Sequence, residues 1–176
     1  MAIAREKACV APGFLASSPD PMDPISLRDL LTAWTNINSG SENRPGLERM
    51  RAALAAEFAT LRDATVETVP LTGTAAQALR IRIRPAAPTQ ILFSGHYDTV
   101  YGAADPFQIC TLLDADTLRG PGVADMKGGL VVMLAALRAF ETSPHAPRVG
   151  CEVLLTPDEE IGSFGSSALF AAAGAS

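Results

Sequence analysis

His96 and Asp98 stand two residues apart at the end of the apolar run Ile91-Leu92-Phe93, and on an extended backbone that spacing projects both side chains to one face. One can bind a metal while the other orients it. An imidazole ligand needs its second nitrogen held by a carboxylate or carbonyl, a task Asp98 can perform directly or from across a metal site. A His-x-Asp pair alone reads more readily as a solvent-exposed strand end, so its weight depends on what else converges there.

Asp125 follows Gly120-Pro121-Gly122 and precedes the apolar stretch Leu130 to Phe140, which is too short to span a membrane and reads as a buried helix. Gly120-x-Gly122 before a helix resembles a dinucleotide fingerprint. Pro121 and Asp125 exclude it, because they stand where a phosphate cradle needs free N–H groups and no anion, and no Gly-Lys-Ser/Thr follows. The third context is Asp158-Glu159-Glu160, after the strand-like Cys151 to Thr156 and before Gly162-Ser163-Phe164-Gly165. Alone, such a triplet is a solvated turn. If Asp98, Asp125, Glu159 and Glu160 converge, each near-contact pair repels by about 3 to 4 kcal/mol at an effective dielectric of about 20, and a polyvalent cation is needed to hold them together.

The elements that must position these groups are legible from periodicity. Asp23 caps a helix through Ile25 to Trp34 that ends near Asn38-Ser39-Gly40, and a second helix starts at Pro45 with Leu47, Met50, Leu54, Phe58 and Leu61 along one stripe. Val66 to Val69 and Leu79 to Arg84 alternate as strands with one wet face. Arg80, Arg82 and Arg84 suit an anion groove or, as the favoured reading, the solvated face of an outer strand. Residues 89 to 95 and 149 to 156 read as inner strands, with a helix from about Lys127 between them. The fold class expected is α/β, a three-layer sandwich with a mixed central sheet and its ligand loops at strand ends.

At 176 residues, 48% hydrophobic and a net charge of −5, the chain has the composition of one globular domain and none of the basic patches that nucleic acid or an anionic membrane would require. Cys9, Cys110 and Cys151 show no Cys-x-x-Cys spacing and read as thiols. His145, in Ser143-Pro144-His145-Ala146-Pro147, reads as a solvent loop. Residues 1–22 are expected to be a disordered leader; Glu6 and a broken apolar stretch make a poor secretory signal, so a cytoplasmic location is expected.

In order and spacing, His96-Tyr-Asp98-Thr-Val, Gly120-Pro-Gly-Val-Ala-Asp125-Met-Lys-Gly-Gly and Asp158-Glu159-Glu160-x-Gly-Ser resemble the zinc metallopeptidase family of aminoacylase, acetylornithine deacetylase, succinyl-diaminopimelate desuccinylase and glutamate carboxypeptidase. The string Asp158 to Ser166, with Tyr101, looks most like the bacterial glutamate carboxypeptidase branch. The resemblance implies two zinc ions, with Co²⁺ or Mn²⁺ as second choices: His96 on one, Glu160 on the other and Asp125 bridging. It implies Asp98 as the acid that buttresses the ligands, Glu159 as general base, and a cis peptide between Asp125 and Met126. The implied reaction is hydrolysis of an amide in a small peptide or N-acyl amino acid, most closely the release of a C-terminal glutamate, with N-acyl amino acid deacylation as an alternative. In the family a further zinc carboxylate, an inserted dimerisation domain and a distant His complete a homodimeric enzyme. Residues 23–176 are therefore expected to be the N-terminal part of a catalytic domain, and this segment alone is expected to be inactive, a non-catalytic fragment keeping a partial metal site.

Overall fold

Helix caps and strand alternation set out the elements of the computed structural model, which describes residues 23–174; the leader expected over 1–22 lies outside the described residues. Helix α1 (Pro24–Thr35) opens with Asp23 Oδ2 accepting from Ser26 N at 2.9 Å, and α2 (Arg44–Phe58) opens with Asn43 Oδ1 accepting from Gly46 N at 3.2 Å. Each cap satisfies an N–H that the first turn leaves unpaired, and Pro24 and Pro45 occupy early positions where no N–H is needed.

Strands β1 (Ala64–Pro70), β2 (Gln77–Ile83) and β3 (Thr89–His96) follow, then a small hairpin of β4 (Thr111–Asp114) and β5 (Thr117–Arg119), helix α3 (Gly128–Phe140), strand β6 (Val149–Thr156) and helix α4 (Ser167–Gly174). The main sheet has the order β1-β2-β6-β3, with β1-β2 and β2-β6 antiparallel and β6-β3 parallel. One face carries Leu79, Ile81, Ile83, Val153 and Leu155, and packs on α2 and α3 through Met50, Leu54, Phe58, Leu130 and Leu134. The other face is covered in part by α4, whose Leu169 meets Ala78 and Leu154. Helices thus flank a mixed sheet, as the period-2 and period-3.6 patterns require. Among the described residues no helix is long and apolar enough to cross a membrane.

Two strand positions differ from expectation. β2 is an interior strand, so its arginines do not lie on an outer one: Arg80 Nε is 3.1 Å from Glu152 Oε1 on β6, and Arg82 lies 3.9 Å from Glu67 on β1 and 3.7 Å from Glu152. Opposite charges directly across neighbouring strands make a polar face compatible with an interior position. Arg84 turns away and forms a bidentate pair with Glu141 at 2.8 and 2.9 Å. β3, read as inner, pairs only with β6 among the described residues, leaving Ile91 and Leu92 about half exposed.

Leu54 is fully buried in α2, so Leu54→Ala is expected to lower unfolding stability by about 2–5 kcal/mol, whereas Arg82→Ala, at a side chain 41% exposed, should cost about 1 kcal/mol or less. Urea titration followed by circular dichroism checks the contrast, and equal losses at both positions would contradict this account of the core.

Candidate metal centre

The parallel pairing of β3 with β6 places His96 opposite Thr156, so the chain segments leaving both strands emerge side by side at one end of the sheet. Open α/β folds build sites beyond the carboxyl ends of their strands for this reason. The crossover from β3 runs through the hairpin and a kinked turn, Val123–Lys127, into α3, which brings Asp125 to the same end. Gly122 begins that turn at φ 71°, and a Cβ there would stand 2.6 Å from Thr99 Cγ2, so the position admits only glycine without rearrangement. The Asp125–Met126 peptide is cis.

Asp98 is fully buried and receives four contacts. Its Oδ1 lies 3.3 Å from His96 Nδ1 and accepts from Glu159 N at 3.2 Å; its Oδ2 accepts from Glu160 N at 3.1 Å and from Ser41 Oγ at 2.8 Å. One carboxylate therefore orients the imidazole and the acidic turn together. The opposite ring nitrogen, Nε2, faces the cluster: it lies 3.0 Å from Asp125 Oδ1 and 3.9 Å from Glu159 Oε2. One donor atom each from His96, Asp125 and Glu160 lie within 4.8 Å of one another. The three acids of the triplet part company. Asp158 turns inward, accepting from Gly165 N at 2.8 Å and Ser166 N at 3.0 Å; Glu159 stays half exposed, and Glu160 joins the cluster. His145 lies exposed in its loop, away from this cluster.

The protonation equilibria bear the mark of crowded carboxylates. Burial pulls the His96 imidazole down, but hydrogen bonds to Asp98 and Asp125 and the nearby negative charge outweigh it, raising its pKa to about 9. Burial first, then the Asp125 charge, pushes the Glu160 carboxyl above its usual range. Both shifts favour the protonated form of the group. One imidazole nitrogen and two carboxylates form a donor set suited to Zn²⁺, with room for further ligands because Asp125 and Glu159 reach solvent.

The profile of peptidase family M20/M25/M40 matches residues 92–176, the segment that contains the whole cluster. Carboxypeptidase G2 of Pseudomonas sp. (strain RS-16) is 30% identical over 140 residues, covering 77% of this chain and 33% of that protein. Over residues 92–176 the chain matches this metallopeptidase family. Succinyl-diaminopimelate desuccinylase of Gluconobacter oxydans is 40% identical over 75 residues, covering 40% of this chain and 19% of that protein. Human carnosine dipeptidase 1 shares the fold, with a TM-score of 0.70 at 22% identity over 82% of this chain and 34% of that one. The chain thus spans about a third of the length of carboxypeptidase G2.

Two further residues support this site: Ser41 lies outside the three motifs, and Lys127 lies inside the one that carries Asp125. Ser41 reaches Asp98 from the segment after α1, which runs beside Thr99 through Ser41 N to Thr99 O at 3.1 Å and Thr99 N to Ser39 O at 3.0 Å. Lys127, two residues after Asp125, is fully buried and donates from Nζ to Ile37 O at 2.8 Å; burial draws its pKa down to about 8. It ties the turn that carries Asp125 to the exit of α1. A lysine set between a glycine-rich loop and an apolar helix is the one hint the sequence offered.

Because the folded His96 value exceeds that of an unfolded imidazole, its ion pairs stabilise the metal-free fold fully below about pH 6.5, and the contribution is lost as pH rises through about 9. A metal must displace that proton. Zinc binding at about pH 7.5 is therefore expected to release about one proton from His96, and affinity should fall about tenfold per unit of further acidification. Calorimetric titration in two buffers of different ionisation enthalpy reads the release directly; identical heats would mean that the imidazole is already neutral.

Proposed function

We propose that residues 23–176 are the N-terminal part of the catalytic domain of a zinc-dependent amide hydrolase, with His96, Asp125 and Glu160 as metal ligands and Asp125 shared between two ions. The observation that carries this reading is the convergence of those three donors, within 4.8 Å, beside a carboxylate outside the group, Glu159. The ions, when bound, supply Lewis acidity that polarises the scissile carbonyl and makes water a nucleophile near neutral pH. Zinc suits the mixed nitrogen and oxygen donors, with Co²⁺ or Mn²⁺ as alternatives.

The chain's own groups divide the remaining work. Asp98 holds His96 through Nδ1, so Nε2 stays turned toward the cluster. Glu159 takes a proton from the attacking water as its oxygen adds to the amide carbon, then returns that proton to the departing nitrogen as the C–N bond breaks. Its half-exposed carboxylate, 3.9 Å from His96 Nε2, has the access this exchange requires.

For the substrate we favour a peptide or conjugate with a C-terminal glutamate or similar residue. Similarity to carboxypeptidase G2 and the string Asp158 to Ser166 support this. An N-acyl amino acid deacylase is the second reading, supported by the similarity to succinyl-diaminopimelate desuccinylase. In either case the whole polypeptide would act as a homodimer on a small substrate.

In the whole enzyme, Glu159→Gln should lower kcat by about 10²- to 10⁴-fold while leaving zinc content nearly intact, whereas His96→Ala should lose both metal and rate. Elemental analysis alongside turnover separates the roles. Comparable zinc loss in the two variants would refute the assignment of Glu159 as base.

A further inference from the structure

Beside the acid cluster lies a cavity of about 540 Å³. Asp125 and Glu160 border it where it meets the cluster, and Tyr101, Phe107, Leu118 and Arg119 form much of its wall. The wall is a built surface. Tyr101 and Phe107 pack edge to face with centroids 5.1 Å apart, and the loop carrying them is pinned by Asn38 Nδ2, which donates to Tyr101 O at 3.2 Å, Gly102 O at 3.1 Å and Gln108 Oε1 at 2.7 Å. The guanidinium of Arg119 lies over the Phe107 ring, 4.8 Å from its centroid.

Arg119 is the one cation bordering this cavity, and among the described residues no carboxylate pairs with it. Contact with a ring face restrains the guanidinium, while its N–H donors stay uncommitted. A restrained arginine with free donors is a ready partner for a carboxylate, which it can grip through two parallel hydrogen bonds. Phe107 and Leu118 give the cavity an apolar wall that suits a short methylene stem.

We propose that Arg119 is a specificity-determining residue that receives a carboxylate carried on a short apolar arm of the substrate, the arm lying along Phe107 and Leu118. This rests on the reading of the cluster as an amide-hydrolysing centre, and it gives the preference for glutamate-like substrates a residue of this chain.

The test compares N-benzoyl-L-glutamate with N-benzoyl-L-glutamine, which differ only in a side-chain carboxylate against a carboxamide, on the whole polypeptide. Binding is measured on metal-free protein, where no turnover can occur, and kcat/KM is measured in parallel with zinc. Wild type should bind the glutamate probe about tenfold or more tightly than the glutamine probe, a charge-assisted bidentate contact being at stake. Arg119→Leu should abolish that preference by weakening the glutamate probe about tenfold or more, with circular dichroism reporting that the variant is folded. Arg119→Lys should restore part of it. A preference that survives Arg119→Leu, or the absence of any preference in wild type, overturns the proposal. If the preference depends on Arg119 but zinc-loaded wild type hydrolyses neither probe, the pocket assignment stands and the hydrolase reading fails. Hydrolysis with a preference indifferent to position 119 overturns the pocket assignment and leaves the hydrolase reading standing.

Discussion

A single buried carboxylate, Asp98, connects three stretches of chain that otherwise meet only at this end of the sheet. It holds the His96 ring, the backbone of Glu159 and Glu160 and the hydroxyl of Ser41 at once. Removing such an acceptor would leave buried donors unpaired, at about 1–3 kcal/mol each, so the cost of losing Asp98 exceeds that of any one contact. The orientation of the imidazole and the aim of the acidic turn are therefore one property of the fold.

Around that anchor the electrostatics run against the structure. Asp98, Asp125, Glu159 and Glu160 crowd one imidazole, and the metal-free site answers by keeping His96 protonated and drawing Glu160 toward its neutral form. A cation relieves both. Packing beneath the site opposes that tension: fully buried Leu130 and Leu134 seat α3 against the sheet, and Lys127 fastens the turn that presents Asp125. Carboxylates this close need positions enforced by packing, since their mutual repulsion would otherwise open the cluster.

The sheet separates its two faces by chemistry as well as packing. One is apolar and carries the main core. The other bears the Arg80, Arg82, Glu67 and Glu152 ladder, with α4 covering only the part near Ala78 and Leu154. The ladder serves sheet pairing, while Arg119, which has no carboxylate partner among the described residues, sits on the separate hairpin beside the site. Two arginine-bearing strands thus have unlike roles that their local alternation does not distinguish.

Much of the architecture follows from local pattern. Asp23 and Asn43 cap helices through bonds to residues three positions on, apolar stripes set the buried faces of α1 to α3, and alternation marks β1 and β2, because each depends on neighbours within a few residues. The types and order of His96, Asp98, Asp125, Glu159 and Glu160 were likewise legible as a set of metal-compatible donors. Tertiary structure alone decided the rest. β2 is interior and β3 lies at an edge among the described residues, since strand order depends on pairings between segments far apart in sequence. Ser41 meets Asp98 across 57 positions and Lys127 meets Ile37 across 90, contacts for which no spacing rule exists. Sequence determined which groups are available and which face of each element they occupy; only the closing of β3 against β6 determined which of them share a site, because convergence is a property of distances between elements and not of the elements themselves.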